Sequence, residues 1–502
     1  EMTENGPIYA RLAYGENYGA TATGNVGNID KILPTGSGTA TLNSKSDKEA
    51  TIQITATDAH SGIASITNKT TEFIRKESDT TYKVTKNGTF EFYVTDKAGN
   101  ANTISVKMEE FLWEETKTSD TEWYSYNDVS NGNKKANVNA PKLAGNMKPI
   151  KYAETNTQTG SKWANAMTSD GSIWVWLPRY AYKITEGYHT NVAGTIEVAF
   201  LDTNNNFLNG ETGTLTTNVE DPEAGRTKWL VHPAFTSNAE SGGGFGEIEG
   251  LWVGKFEATG EYTTGNASKV SVKPGVPSLR NMTIGNKYKA GKTATYGENV
   301  NLNSHMAKNS EWGATVYLGH SKYGTNKQKV EQNTNSSYCT GGTNIVEDIY
   351  ITNKTQSTTH NPTGIYDLNG GAREDTASYV NTKNEYLGIY GGTTIGDFYG
   401  ATETEQSTST KYKTVYSSLN NTEEDYNLSG KKNKGDAVYE TSLSHYDKFG
   451  SWFNARAIFS YGSVSFFYRG GTYKDTSAGM FGFDYERGVG FDDISFRPVL
   501  AP

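Results

Sequence analysis

One cysteine, Cys339, stands in 502 residues, and a single thiol cannot build an internal disulfide framework. Its surroundings, NSSYCTGGTN, hold no histidine and no second cysteine at ligand or catalytic spacing, so an ordinary polar loop position is expected. Proline is scarce at 12 residues and apolar residues reach only 34%. No apolar run approaches the ~20 residues of a membrane helix. The first residues, EMTENGPIYA, show neither a basic nor an apolar leader region, so an export signal or anchor is expected to have been removed or to lie upstream. Excess positive charge is missing as well. The formal net charge is −9, whereas nucleic-acid binders are usually basic, and the short run GKKNKG reads as a solvated loop.

Aromatic residues are plentiful at 12%, with 32 Tyr and 9 Trp on a Gly-rich background. Aromatic anchors among Gly, Thr and Asn predict short strands, many turns and long ordered loops. The expectation is a folded, strand-rich, extracellular protein, long enough for three or four domains.

Ala50 to Ile66, ATIQITATDAHSGIASI, alternates apolar and polar residues around a turn at DAHSG. The period returns in TYKVTKNGTFEFYVTDKAGNANTISVKM, where Asn87-Gly88 predicts a hairpin turn and DKAGN a second one. Strands at this spacing predict a small antiparallel sandwich. Residues 28–108, through NIDKILPT, TATDAHSGIASI and NGTFEFYVTDKAGN, resemble the bacterial immunoglobulin-like domains of surface proteins. Asn5 to Asn25 follows the order of Asn87 to Asn100, which predicts that residues 1–27 are the end of a preceding repeat in a longer stalk. Residues 109–145 read as a linker, with Phe111, Trp113, Trp123 and Tyr124 as aromatic docking candidates for the next domain or as simple packing residues.

Residues 146–502 show no further boundary. In order along them, IWVWLPRYAYKI, GLWVGKFEATGEY, HMAKNSEWGATVYLG, TGIYDLNGGAREDTASYV and YRGGTY…GFDDISFRPVL resemble segments of formylglycine-generating-enzyme-like domains. The resemblance implies a C-type-lectin-like fold for this region. Trp312, Val316 and Tyr317 fall at helical spacing and predict a helix burying one face. Gly370-Gly371 suits a tight turn. Phe496, Val499 and Leu500 are expected to plug the core, and Arg497, if buried, needs carboxylate or carbonyl partners.

The enzymes of that family use cysteines shortly after the RGG element, and Thr472 to Phe481 contains none. A thiolate cannot be replaced by Thr or Lys in that role, so no catalysis is expected. The seven histidines (His60, His189, His232, His305, His320, His360, His445) are scattered without zinc spacing. GGGFGEIEG lacks the Lys-Ser/Thr of a phosphate loop, and the carboxylates of GFDDIS and NTEEDYN read as solvated. No cofactor is expected; the family resemblance allows structural calcium without singling out residues for it.

The closing stretch, residues 466–497, resembles the C-terminal variable region of the lectin-fold variable proteins of diversity-generating retroelements. The resemblance implies a frame of Arg469, Gly470, Gly471, Gly479, Phe481, Phe483, Gly488, Phe496 and Arg497. Between these lie the expected ligand-binding positions Tyr468, Thr472, Lys474, Asp475, Gly482, Asp484, Tyr485, Glu486, Arg487, Val489, Phe491, Asp492 and Ile494. Large rigid aromatics beside mixed charges suit a paratope-like face. The sequence thus predicts a mainly-β protein with an immunoglobulin-like stalk and a lectin-like head. It would be displayed on a cell or virion surface, bacterial or phage, and bind a protein or glycan ligand on another surface, without nucleic acid or a membrane span. A structural subunit of a pilus, tail fibre or filament is the alternative reading, and a formylglycine-generating-type enzyme a more distant one.

Overall fold

A computed structural model describes residues 2–43, 49–111, 141–150, 152, 161–208, 210–263, 266–342, 346 and 349–501. Strand makes up 35% and helix 14%, so the fold is mainly β. No helix among the described residues is long and apolar enough to cross a membrane. The chain divides into two compact units, Glu1–Glu115 and Thr116–Pro502.

In the first unit, two sheets enclose one core. Four strands order as Thr35–Thr41, Ala50–Thr57, Thr81–Val84, Ile74–Lys76, and three as Ala101–Met108, Gly88–Asp96, Ile63–Asn68. The alternation seen in sequence sends Ile52, Ile54, Tyr82, Phe90, Phe92, Val94 and Val106 inward, because successive strand residues point to opposite faces. The Asn87-Gly88 expectation is corrected here: this turn joins strands of different sheets rather than closing a hairpin. Asn87 instead clamps the chain's exit, its Nδ2 donating to the Phe111 carbonyl at 2.8 Å and its Oδ1 accepting from the Phe111 amide at 3.0 Å. Phe111 packs into this unit's own core; Trp113, Trp123 and Tyr124 lie outside the described residues. DKAGN does close a hairpin, pairing Gly88–Asp96 with Ala101–Met108. A separate two-stranded ribbon, Gly6–Ala10 with Ala22–Val26, leaves Ile8 and Tyr9 exposed.

Among the described residues the second unit holds three larger sheets and a two-stranded ribbon, Thr259–Thr263 with Asn266–Ser271. One six-stranded sheet runs Lys148–Ile150, Asn165–Met167, Ile173–Pro178, Gly250–Gly254, Pro498–Leu500, His305–Met306. The last residues therefore pair inside it, Val499 opposite Val253, and Phe496, Val499 and Leu500 are fully buried. A four-stranded sheet centres on Tyr180–Glu186. The third carries the tail, in the order Thr414–Tyr416, Arg373–Val380, Phe466–Gly470, Gly479–Glu486, Ala455–Ile458, Tyr446–Ser451, with Ile494–Phe496 pairing in parallel to Arg373–Val380.

Helix Asn309–His320 is buried on every side, not on one face as its spacing suggests. Trp312 explains part of this: its indole donates to the Met480 carbonyl at 2.7 Å, so the tail sheet covers a side that would otherwise face water.

Candidate ligand-binding face

The tail's backbone is held by buried cations. Arg469 Nε donates to the Gly482 carbonyl at 2.9 Å, Nη1 to that of Asp436 at 2.9 Å and Nη2 to that of Ala437 at 2.8 Å. One guanidinium thus ties two tail strands to a segment more than thirty residues earlier. At Gly470 and Gly471, φ is +83° at both, and a Cβ on Gly471 would stand 2.8 Å from Ala478 Cα. Only glycine accepts this turn without strain. Beyond it, Gln332 Nε2 donates to the carbonyls of Thr472, Tyr473 and Asp475 at 2.9, 3.2 and 3.0 Å. Arg497 finds both partner types it needs: the carbonyls of Gly254 and Tyr366 at 2.8 and 2.9 Å, and Glu374 at 2.5 Å.

Across the tail sheet runs a row of alternating charge. Tyr468 and Asp484 stand opposite in register, and the Tyr468 hydroxyl donates to Asp484 Oδ2 at 2.5 Å. Arg456 Nη1 donates to the same oxygen at 2.8 Å. On the other side the Arg373 guanidinium lies 4.6 Å over the Tyr468 ring and pairs with Asp493 at 2.6 Å. Burial holds the Asp484 carboxyl above its usual range, and burial with the Asp484 charge raises the Tyr468 phenol. Further along, Lys287 pairs with Asp375 at 2.7 Å, both fully buried. Glu486 is 4% exposed, and among the described residues no side-chain donor reaches either carboxylate oxygen. Burial, then the Asp375 charge, pushes the Glu486 carboxyl well above its usual value, because the ionised form loses its water here.

Six of the thirteen expected binding positions do not lie at the surface. Tyr468, Thr472, Gly482, Asp484, Glu486 and Ile494 are buried. Tyr468, Asp484 and Glu486 line the charged sheet face, Gly482 supplies the carbonyl held by Arg469, and Ile494 sits in the strand beside Arg373. Lys474, Arg487, Phe491 and Asp492 are exposed, and Asp475, Tyr485 and Val489 half-buried. Tyr485 does not share the face of Asp484, since neighbours in a strand point oppositely; its ring meets Tyr461 edge-on at 5.4 Å. Arg487 stacks 5.3 Å over Tyr386. The Phe491 carbonyl accepts from the Asn281 amide at 3.0 Å, and that of Asp492 accepts from Arg280 Nη1. The nine frame positions, Arg469, Gly470, Gly471, Gly479, Phe481, Phe483, Gly488, Phe496 and Arg497, are all buried.

Sequence reasoning missed the residues outside the tail that hold it: Arg280, Lys287, Gln332, Arg373, Arg456 and Tyr461. A signal existed for Arg373, which opens the charged run Arg373-Glu374-Asp375 inside a strand of otherwise small and apolar residues. Nothing local marks the others.

Other chemistries have specific obstacles. Cys339 is fully buried, and burial pushes its thiol up to about 11, so the thiolate is scarce at neutral pH. Burial lowers His232 to about 3 and His320 to about 4. His305 Nε2 lies 2.9 Å from Glu311 inside the core. The glycine-rich loop directs carbonyls, not amides, at its cation: Lys308 Nζ donates to Gly243 and the Ser310 hydroxyl to Gly242, both at 2.7 Å. Of the carboxylates read as solvated, Asp493 pairs with Arg373 and Asp425 accepts from the Leu419 amide. Among the described residues, one group of three carboxylates could hold a cation: Asp30, Asp58 and Asp96 in the first unit, with oxygens within 4.8 Å of one another. Compared with known proteins, the chain matches no family model, and no curated protein matches it.

Proposed function

We propose that the second unit is a non-catalytic ligand-binding head, and that the first belongs to a surface-displayed, immunoglobulin-like stalk. The observation that carries this reading is the division within the tail. Arg469, Gln332 and Arg497 hold its backbone from inside, while Lys474, Tyr485, Arg487, Phe491 and Asp492 present aromatic and charged groups at the surface. A face built in this way accepts exchange of outward groups at little cost in stability, which suits a lectin-fold variable region. Binding would follow from aromatic anchors within a charged rim on a preorganised backbone. The buried Cys339 thiol argues against thiol-based oxidation.

The test presents the full chain to arrays of bacterial surface proteins and glycans, then compares retained ligands with the Tyr485→Ala/Phe491→Ala double variant. At least a tenfold loss of affinity with an unchanged Tm is expected; unchanged affinity would overturn the reading. Sequencing the gene across a population provides a second check, with changes expected at the codons of Lys474, Tyr485, Arg487, Val489, Phe491 and Asp492.

A structural-subunit reading rests on a different observation, the exposed Ile8, Tyr9, Leu12, Tyr14 and Tyr18 in the first unit. Concentration-dependent association in sedimentation, abolished by Tyr14→Ser/Leu12→Ser, would favour it.

A further inference from the structure

The second unit holds a cleft of about 290 Å³ that no residue of 466–497 lines. Segments 217–220, 238–241 and 415–417 line it, together with helix Thr422–Lys432 and Asn433 at the end of that helix. Three features of this cleft bear on what it could hold.

The first is a set of side-chain amides, each tied down at one end. Asn218 Oδ1 accepts from the Glu220 amide at 3.0 Å, and Asn238 Oδ1 from the Glu240 amide at 3.1 Å. The Nδ2 donor of each has no partner among the described residues. Asn433 is arranged the other way round: its Nδ2 faces the Glu240 carbonyl at 3.5 Å, and its Oδ1 accepts from nothing among the described residues, although the residue is only 7% exposed. The cleft therefore offers two donors and one acceptor whose amides are already anchored. A hydroxyl group can meet either kind, because it both donates and accepts.

The second is charge. Glu220, Glu240 and Asp425 line the cleft against one ammonium, Lys432. Burial holds the Asp425 carboxyl above its usual range, and its Oδ1 is taken by the Leu419 amide. The remaining carboxylates still leave no surplus of positive charge, which disfavours an anionic ligand.

The third is size and apolar contact. Val219 and Val415 are buried and Leu428 half-buried at the cleft, so a ligand with C–H faces as well as hydroxyls finds both kinds of partner. The volume lies at the small end of the range for ligand pockets. It suits one sugar ring better than an extended chain.

We propose that this cleft is a second ligand site, separate from the tail, which takes one neutral sugar residue through Asn218, Asn238 and Asn433. The proposal goes beyond the tail reading and does not depend on it.

Saturation-transfer NMR on the full chain tests it, with the methyl glycosides of glucose, galactose and mannose and with N-acetylneuraminate as probes. At least one neutral glycoside is expected to receive saturation, and to bind at least fivefold tighter than N-acetylneuraminate. Two variants locate the site. Asn218→Ser/Asn238→Ser keeps an oxygen for each turn while removing both amide nitrogens, so an at least fivefold loss of glycoside affinity is expected at an unchanged Tm. Leu428→Trp fills the cleft and is expected to abolish the signal. The Tyr485→Ala/Phe491→Ala variant should bind the glycoside as the parent does. Absence of saturation on all three glycosides, equal or tighter binding of N-acetylneuraminate, parent-like affinity in either cleft variant, or loss of glycoside binding in the tail variant would each overturn the proposal. The tail reading fails on separate grounds, if array ligands ignore the Tyr485→Ala/Phe491→Ala variant.

Discussion

The strands of the tail and its loops obey opposite rules, although fewer than ten residues separate them. In the strands, Tyr468, Asp484 and Glu486 are polar yet buried, and two of the three have partners supplied from elsewhere in the chain. In the loops, Lys474, Arg487 and Phe491 are exposed and bear little on the interior. The contrast separates chemical type from position. A charged side chain in this tail is a surface group only where the sheet ends.

The comparison breaks most visibly at Arg469. Removing its guanidinium by Arg469→Ala strands three buried carbonyls, so a loss of about 3 kcal/mol or more is expected in chemical denaturation of the second unit. A loss below 1 kcal/mol would mean that the tail is not held from inside.

Asp484→Ala is expected to cost about 2 kcal/mol, because it leaves the Tyr468 hydroxyl and the Arg456 guanidinium without their shared acceptor. Restoring most of the stability with Asp484→Asn would show that hydrogen bonding outweighs charge there.

Glu486→Gln sharpens the contrast with the opposite sign. The folded-state pKa of Glu486 is raised, so its contribution is fully present below the unfolded value and is lost as pH rises through the folded one. Asp436, raised to about 7 by burial, follows the same rule. The Tm of Glu486→Gln relative to the parent should therefore climb from pH 4 to pH 8, by a few degrees. A flat difference would place water or a cation on Glu486. His232 and His320 act oppositely, since depressed pKa values remove stability as pH falls below 6.5; the paired comparison cancels them.

The smallest effect is expected in the loops. Arg487→Ala and Lys474→Ala should change stability by less than about 0.5 kcal/mol. A larger loss at Arg487 would promote its stacking on Tyr386 from an incidental contact to a structural one.

Much of the frame was legible in sequence because its physics is local. Period-two alternation sent Ile52, Tyr82 and Phe92 inward, and the paired glycines 370 and 371 take the positive φ, +83° and +71°, that a tight turn needs and other residues resist. Where the reading went wrong, local pattern had no access to the deciding group. Asn87-Gly88 has the chemistry of a hairpin turn, yet the chain passes to the other sheet there, because Asn87 is tied to Phe111, twenty-four residues on. Helix Asn309–His320 has an amphipathic spacing but is enclosed, because Met480 reaches its far side.

From the sequence by itself came the strand-rich character, the mixed aromatic and charged tail, and the positions that only glycine or a buried arginine could fill. The tertiary structure alone decided which tail residues face water. That choice depends on Arg373 and Arg456 arriving from outside the tail to pair with Asp493 and Asp484, and a carboxyl is buried only where a counter-charge is brought to it or, as at Glu486, where burial favours its neutral form.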